Sequence, residues 1–168
     1  MSTEDAEPPR APRVQGPPPH LLVVRAPYYR EVVDGLSDGA ARILSEAGAT
    51  HELLDVAGAF ELPQAIRLAL RAGARTDAGG AARFDGYIAL GCVVRGETDH
   101  YEYICRETMS GLMHVALTYG IALGTGLLTV DTVAQALARA RPDGHNKGAE
   151  ATAAALRQID AARRLGAF

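Results

Sequence analysis

The sequence predicts an α/β fold in three layers, with helices on both faces of a four-stranded parallel sheet. Short continuous apolar runs alternate with longer segments whose apolar residues recur at helical spacing, the pattern of repeated β-α units. The connections between them are short and punctuated by Gly and Pro. With 168 residues, 48% of them hydrophobic, the chain holds enough apolar material for one core and too little for two comfortable domains.

The chain opens on an arm, 1–19, that contains Pro8, Pro9, Pro12, Pro17, Pro18 and Pro19, scattered charges and almost no large apolar side chains. Such a segment buries too little surface to offset its ordering entropy and reads as a disordered or extended arm, which leaves 20–168 as the folded domain. The first strand is the apolar run Leu21-Leu22-Val23-Val24. Val32, Val33, Leu36, Ala40, Ile43, Leu44 and Ala47 then mark a helix stopped by Gly48. A second strand covers Glu52 to Val56, and Leu62, Ala65, Ile66, Ala69 and Leu70 mark one face of a second helix, with Pro63 tolerated in its first turn. Ala74 to Arg83, rich in Gly and Ala, reads as a loop.

The third strand runs through Tyr87-Ile88-Ala89-Leu90 and ends at Val94. Ile104, Thr108, Gly111, Leu112, Val115, Ala116 and Tyr119 form the buried stripe of a long third helix. Ile121 to Thr129 is the fourth strand, in which Gly124-Thr125-Gly126 reads as a bend. Two more helices, about 132–140 and 148–165, flank the breaker Arg141-Pro142-Asp143-Gly144. Units joined this way predict an open, doubly wound, flavodoxin-like sheet with right-handed crossovers.

A net charge of −3 and the absence of any Lys or Arg block argue against a nucleic-acid or membrane-surface partner, so a small ligand is expected. No apolar run approaches the roughly 20 residues of a membrane helix. Cys92 and Cys105 are not spaced as C-x-x-C and read as free structural thiols. With no signal-like segment before the domain, the expected compartment is a reducing cytoplasm.

In doubly wound sheets ligands bind outside the carboxyl ends of the strands. Four segments lie there: Ala26-Pro27-Tyr28, Gly58-Ala59-Phe60-Glu61, Gly91 to His100, and Thr129-Val130-Asp131. The third carries the most chemistry. A strand ending at Val94 delivers backbone N–H groups at the start of a helix, Gly96 lets a ligand approach the backbone, and the arrangement suits a phosphate or an oxyanion. His100 sits in that helix's first turn, and histidine is the side-chain type that gives and takes protons near neutral pH. A solvated helix-start histidine is the plain alternative.

Other motifs fail on their own terms. His100-Tyr101-Glu102 has the H-x-E half of a zinc deaminase without the P-C-x-x-C that would hold the metal. Gly124-Thr125-Gly126 does not open a helix and has no third glycine in register, and no G-x-x-x-x-G-K-[ST] loop exists. His51 and His114 lack partners at metal-ligand spacing.

Gly58-Ala59-Phe60-Glu61-Leu62-Pro63, Gly91-Cys92-Val93-Val94-Arg95-Gly96-Glu97-Thr98-x-His100-Tyr101 and Asn146-Lys147-Gly148, in this order and spacing, closely resemble the lumazine synthase family from about His20 onward. The resemblance implies condensation of 5-amino-6-(D-ribitylamino)uracil with 3,4-dihydroxy-2-butanone 4-phosphate to 6,7-dimethyl-8-ribityllumazine, with release of phosphate and water and with no cofactor or metal. It implies His100 as the proton-transfer group and Tyr28 as the aromatic on which the heteroaromatic ring stacks. Glu61 with the Ala59 and Phe60 backbone falls at the ribityl hydroxyls, and the Cys92-Val93-Val94 backbone at the uracil edge. The Glu97 and Thr98 backbone falls at the phosphate, joined by Arg139 from a neighbouring subunit and by Lys147. For Tyr28 a half-buried loop residue, for Glu61 a helix-dipole partner and for Lys147 a solvated helix start remain open.

The chain departs from the family where Ala26-Pro27-Tyr28 replaces Ala-Arg-Phe. Thr125 stands where many members place a phenylalanine reaching into the adjacent site, and Pro142-Asp143 replaces a segment where lysine is frequent. The resemblance also implies a homopentamer with sites at subunit interfaces, and the proline-rich arm favours isolated pentamers over a 60-subunit shell. A non-catalytic flavin- or lumazine-binding protein and a structural shell protein are the rival readings, and His100, Arg139 and Glu61 together favour the enzyme.

Overall fold

The computed structural model describes residues 8–73, 83–142 and 145–167. Its strands are β1 (His20–Ala26), β2 (Thr50–Asp55), β3 (Gly86–Val94) and β4 (Ala122–Val130), all parallel, in the order β2-β1-β3-β4. The helices are α1 (Arg30–Glu46), α2 (Leu62–Gly73), α3 (His100–Tyr119), α4 (Val133–Ala140) and α5 (Lys147–Arg164). The chain steps from β1 outward to β2, then crosses back over β1 to β3, so the sheet has its topological switch point between β1 and β3.

Alternation along the strands divides the core in two. Leu21, Val23, Ile88, Leu90 and Cys92 face α1, α4 and α5, while Leu22, Val24, Tyr87 and Ala89 face α2 and α3. This is the three-layer α/β/α, flavodoxin-like arrangement, with the sheet buried on both faces. β2 at the edge is the exception: Leu53 and Leu54 are 53% and 40% exposed. The expected loop over 74–83 lies, but for Arg83, outside the described residues, as do residues 1–7 and, in the breaker, Asp143 and Gly144.

Helix ends follow the local chemistry. Gly48, at φ +67°, lets the chain leave α1, and Gly120, at φ +60°, ends α3 in the left-handed conformation. Thr132 caps α4 by accepting from the Gln135 N–H. Asn146 does more than cap α5. It is 2% exposed; its Oδ1 accepts from the N–H groups of Gly148 (2.9 Å) and Ala149 (3.0 Å), and its Nδ2 donates to the carbonyls of Gly35 (2.8 Å), Ala140 (2.8 Å) and Arg141 (3.2 Å).

Two expectations are corrected. Gly124-Thr125-Gly126 is no bend, because β4 runs through it unbroken. The glycines instead admit α5: a Cβ on Gly124 would collide with the Ala151 carbonyl, and one on Gly126 would press on the Lys147 carbonyl at 3.3 Å as well as on Leu90 of β3 at 2.7 Å. Tyr119 is 42% exposed rather than part of the buried stripe of α3, and its ring carries the Arg67 guanidinium at 4.5 Å. α3 buries only Thr108, Leu112 and Val115 fully, leaving Met109, Met113 and Leu117 exposed at four-residue spacing along one face.

Residues 8–19 form neither helix nor strand and lie against α1 and α5. Ala11 and Val14 pack on the core, the Gln15 N–H donates to Asp160 at 2.9 Å, and Arg163 donates to the Gln15 and Pro17 carbonyls at 2.7 Å each.

A Cβ on Gly148 would collide with the Leu36 carbonyl, so Gly148→Ala should force α5 off α1. The expected cost is about 1–3 kcal/mol by urea denaturation at fixed protein concentration; unchanged stability contradicts this packing. Cys92 is buried, and that burial, reinforced by Cys105, pushes its thiol up to about 11. In the folded protein at about pH 8 it should resist iodoacetamide and react only after denaturation. Labelling of the folded chain at Cys92 contradicts that.

Candidate active site

The switch point exposes backbone. β1 pairs with β3 only as far as Ala26 opposite Gly91, whereas β3 continues beside β4 to Val94 opposite Val130. Cys92, Val93 and Val94 therefore present to the β1 side an edge without a strand partner, where main-chain donors and acceptors are available to a planar amide-like ligand. The Cys92 side chain points into the core, so only its backbone is offered.

Two short 3-10 turns flank this edge and both pack against β3. The turn after β1, Pro27–Tyr29, leaves Tyr28 76% exposed, edge-to-face with Tyr29 at 5.2 Å between centroids. Tyr29 is the anchored partner: burial, and then Cys92, raise its phenol pKa. The turn after β2, Ala59–Glu61, leads into α2 and also packs against α3. Phe60 is exposed there and Glu61 half-buried, and the bare Gly58 leaves space for the carboxylate, whose Oε2 lies 3.2 Å from where a Cβ would be.

The third side is the loop Arg95–Asp99. Glu97 and Thr98 are exposed, and open space surrounds Gly96. Asp99 does not cap α3 with its side chain, so the helix start is free to receive an anion. His100 is the first residue of α3, exposed, and without a hydrogen-bond partner among the described residues. The loop's own cation, Arg95, is engaged by Glu102 at 2.7 Å and Asp131 at 2.9 Å. The loop Arg95–Asp99 therefore offers no uncommitted side-chain cation of its own.

The remaining candidates gather at another place. Thr125, Arg139 and Lys147 line a groove of about 560 Å³ along the outer side of β4, and Tyr28, Ala59 to Glu61, Glu97, Thr98 and His100 are not among its lining residues. Arg139 donates to the Gln135 carbonyl of its own helix at 2.9 Å. Lys147 is not a solvated helix start: its Nζ donates to both carboxylate oxygens of Glu150, at 2.8 and 2.7 Å. Glu150, which also lines the groove, is the residue the sequence reading missed. Its signal was its place three residues after Lys147, where helical side chains meet. Among the described residues no group of three or more His, Cys, Asp or Glu is placed to hold a metal ion.

The sequence model of the 6,7-dimethyl-8-ribityllumazine synthase family matches residues 18–163. Over 146 residues the chain is 43% identical to the 6,7-dimethyl-8-ribityllumazine synthase of Paramagnetospirillum magneticum, covering 87% of this chain and 96% of that protein. It is 45% identical over 150 residues to 6,7-dimethyl-8-ribityllumazine synthase 1 of Rhizobium meliloti, covering 89% and 95%. It is also 45% identical over 149 residues to the enzyme of that name in Methylocella silvestris, covering 89% and 88%. The match runs from just before β1 to the last turn of α5 and spans every strand and helix of the sheet domain, and the chain belongs to the 6,7-dimethyl-8-ribityllumazine synthase family.

Proposed function

We propose that the chain condenses 5-amino-6-(D-ribitylamino)uracil with 3,4-dihydroxy-2-butanone 4-phosphate, giving 6,7-dimethyl-8-ribityllumazine, phosphate and water. One observation carries the assignment of the site. The unpaired end of β3 lies between an exposed tyrosine and a turn bearing a carboxylate, and the following helix starts with a free histidine. The Cys92 to Val94 backbone suits the uracil amide edge, and Tyr28 offers a face worth about 1–3 kcal/mol to a stacked heteroaromatic ring. Glu61 and the Ala59 and Phe60 backbone suit the ribityl hydroxyls. The Glu97 and Thr98 backbone suits the phosphate. The amine attacks the ketone, one water leaves to give an imine, phosphate is eliminated, and the second nitrogen closes the ring onto the remaining carbonyl with loss of a second water. His100 transfers protons in these steps, while holding the two substrates together supplies much of the rate.

Arg139 and Lys147 complete the phosphate site from a neighbouring subunit, in a homopentamer working in the cytoplasm. That His100 is not among the residues lining their groove supports this, as does the apolar face of Met109, Met113 and Leu117, a surface a second copy would cover. A guanidinium meets a phosphate leaving group with a bidentate fork. Glu150 holds Lys147 in place.

His100→Ala should leave the fold intact, since the side chain is exposed, and slow lumazine formation about 10²–10⁴-fold; unchanged turnover removes His100 from the mechanism. Arg139→Ala should raise KM for the butanone phosphate and spare KM for the pyrimidine, and an equal rise in both makes Arg139 structural. Light scattering after size exclusion should give a particle of about 90 kDa, five copies of the 17.7 kDa chain; an active monomer contradicts the shared site.

A further inference from the structure

We infer that Arg95 is a positioning residue that locks the first turn of α3, and with it His100, onto the end of β4. The inference rests on the reading of His100 as the proton-transfer group. The loop from Arg95 to Asp99 has no regular structure, and Asp99 gives α3 no side-chain cap, so the aim of His100 needs another source of order. Arg95 supplies it from both ends. Its N–H donates to the Val130 carbonyl at 2.9 Å, prolonging the β3–β4 ladder by one step. Its Nε donates to Asp131 Oδ1 at 2.9 Å, just beyond β4, and its Nη1 to Glu102 Oε1 at 2.7 Å, in the same helical turn as His100. The guanidinium carbon lies 4.3 Å from the Tyr101 ring centroid, so the plane that bonds two carboxylates also stacks on the residue next to His100.

The side chains of Arg95, Glu102 and Asp131 are 48%, 59% and 66% exposed, and exposed pairs of this kind contribute little to global stability. Their effect is on geometry. A planar fork can serve two acceptors and a ring face at once, which an ammonium cannot. The pairing also keeps two carboxylates from facing, unpaired, the loop where an anion would dock.

The test compares Arg95→Ala and Arg95→Lys in the wild-type and His100→Ala backgrounds, reading kcat, both KM values and amide hydrogen exchange. Arg95→Ala should lower kcat about 10–100-fold, the scale of a misplaced catalytic group, and speed exchange selectively over residues 96–103. Arg95→Lys should recover only a minor part of the loss. In the His100→Ala background, Arg95→Ala should change kcat by less than about twofold, because its effect passes through His100. Wild-type kcat with wild-type exchange in Arg95→Ala overturns the inference. So does a raised KM for the butanone phosphate at constant kcat, which would make Arg95 a direct ligand. If His100→Ala alone leaves the rate unchanged, the reading of His100 fails, and exchange over 96–103 alone then decides whether Arg95 locks the turn.

Discussion

The Asn146 side chain closes the junction of α1, α4 and α5 with five hydrogen bonds, and the position of both groove cations depends on it. Arg139 is the penultimate residue of α4, immediately before the Ala140 whose carbonyl Asn146 binds, and Lys147 begins α5 immediately after Asn146 itself. A buried amide with all its polar capacity engaged is costly to disturb, because each partner left behind is a buried unsatisfied group. The glycines around it are the steric side of the same constraint. Cβ atoms on Gly35, Gly39 and Gly148 would strike the Ala140 carbonyl, Asn146 itself and the Leu36 carbonyl. The edge of the molecule that carries Arg139 and Lys147 is thus held by a buried side chain with five hydrogen bonds.

The sheet order places that edge one strand beyond the switch point. β4 is terminal, β1 and β3 are central, and the crossover puts the open strand ends at the switch point while the cations line the outer side of β4. At the switch point the loop is acidic: it carries Glu97 and Asp99, and its arginine, Arg95, is already committed to Glu102 and Asp131. An anion at this helix start finds N–H groups and little net positive charge. In the groove, Glu150 engages Lys147, which leaves Arg139 as the groove cation with no carboxylate partner among the described residues. On the proposed reading each half is poor in what the other has, and an assembly apposing them would make one pocket.

Much of the fold was legible because periodicity reports burial. The continuous apolar run Leu21 to Val24 is buried on both faces of the sheet, the helical spacing at Val32 to Leu44 corresponds to a core face, and Gly48 ends α1 as its conformational freedom requires. Where the sequence misled, a second constraint acted on the same residues. Gly124 and Gly126 resemble a breaker locally, but their smallness serves the approach of α5, which depends on a helix some 25 residues later. Tyr119 sits at the right helical spacing for the core, yet α3 packs by a narrower stripe, and the rest of its apolar surface faces outward. Among the candidate site residues, those at strand ends are proposed from the rule that loops after parallel strands carry function. Glu150 was not legible, since an i,i+3 carboxylate on an alanine-rich helix looks like any solvated pair until Lys147 is seen on the groove.

A shared pocket is the central claim, and complementation between defective chains tests it most directly. His100→Ala and Arg139→Ala chains, each impaired alone, are unfolded together in equal amounts, refolded and assayed for lumazine formation. If each site takes His100 from one chain and Arg139 from its neighbour, random mixing in a ring makes about a quarter of the interfaces fully wild-type, and activity should rise to about a quarter of the wild-type value. Activity no greater than the average of the two variants refolded separately would contradict the account.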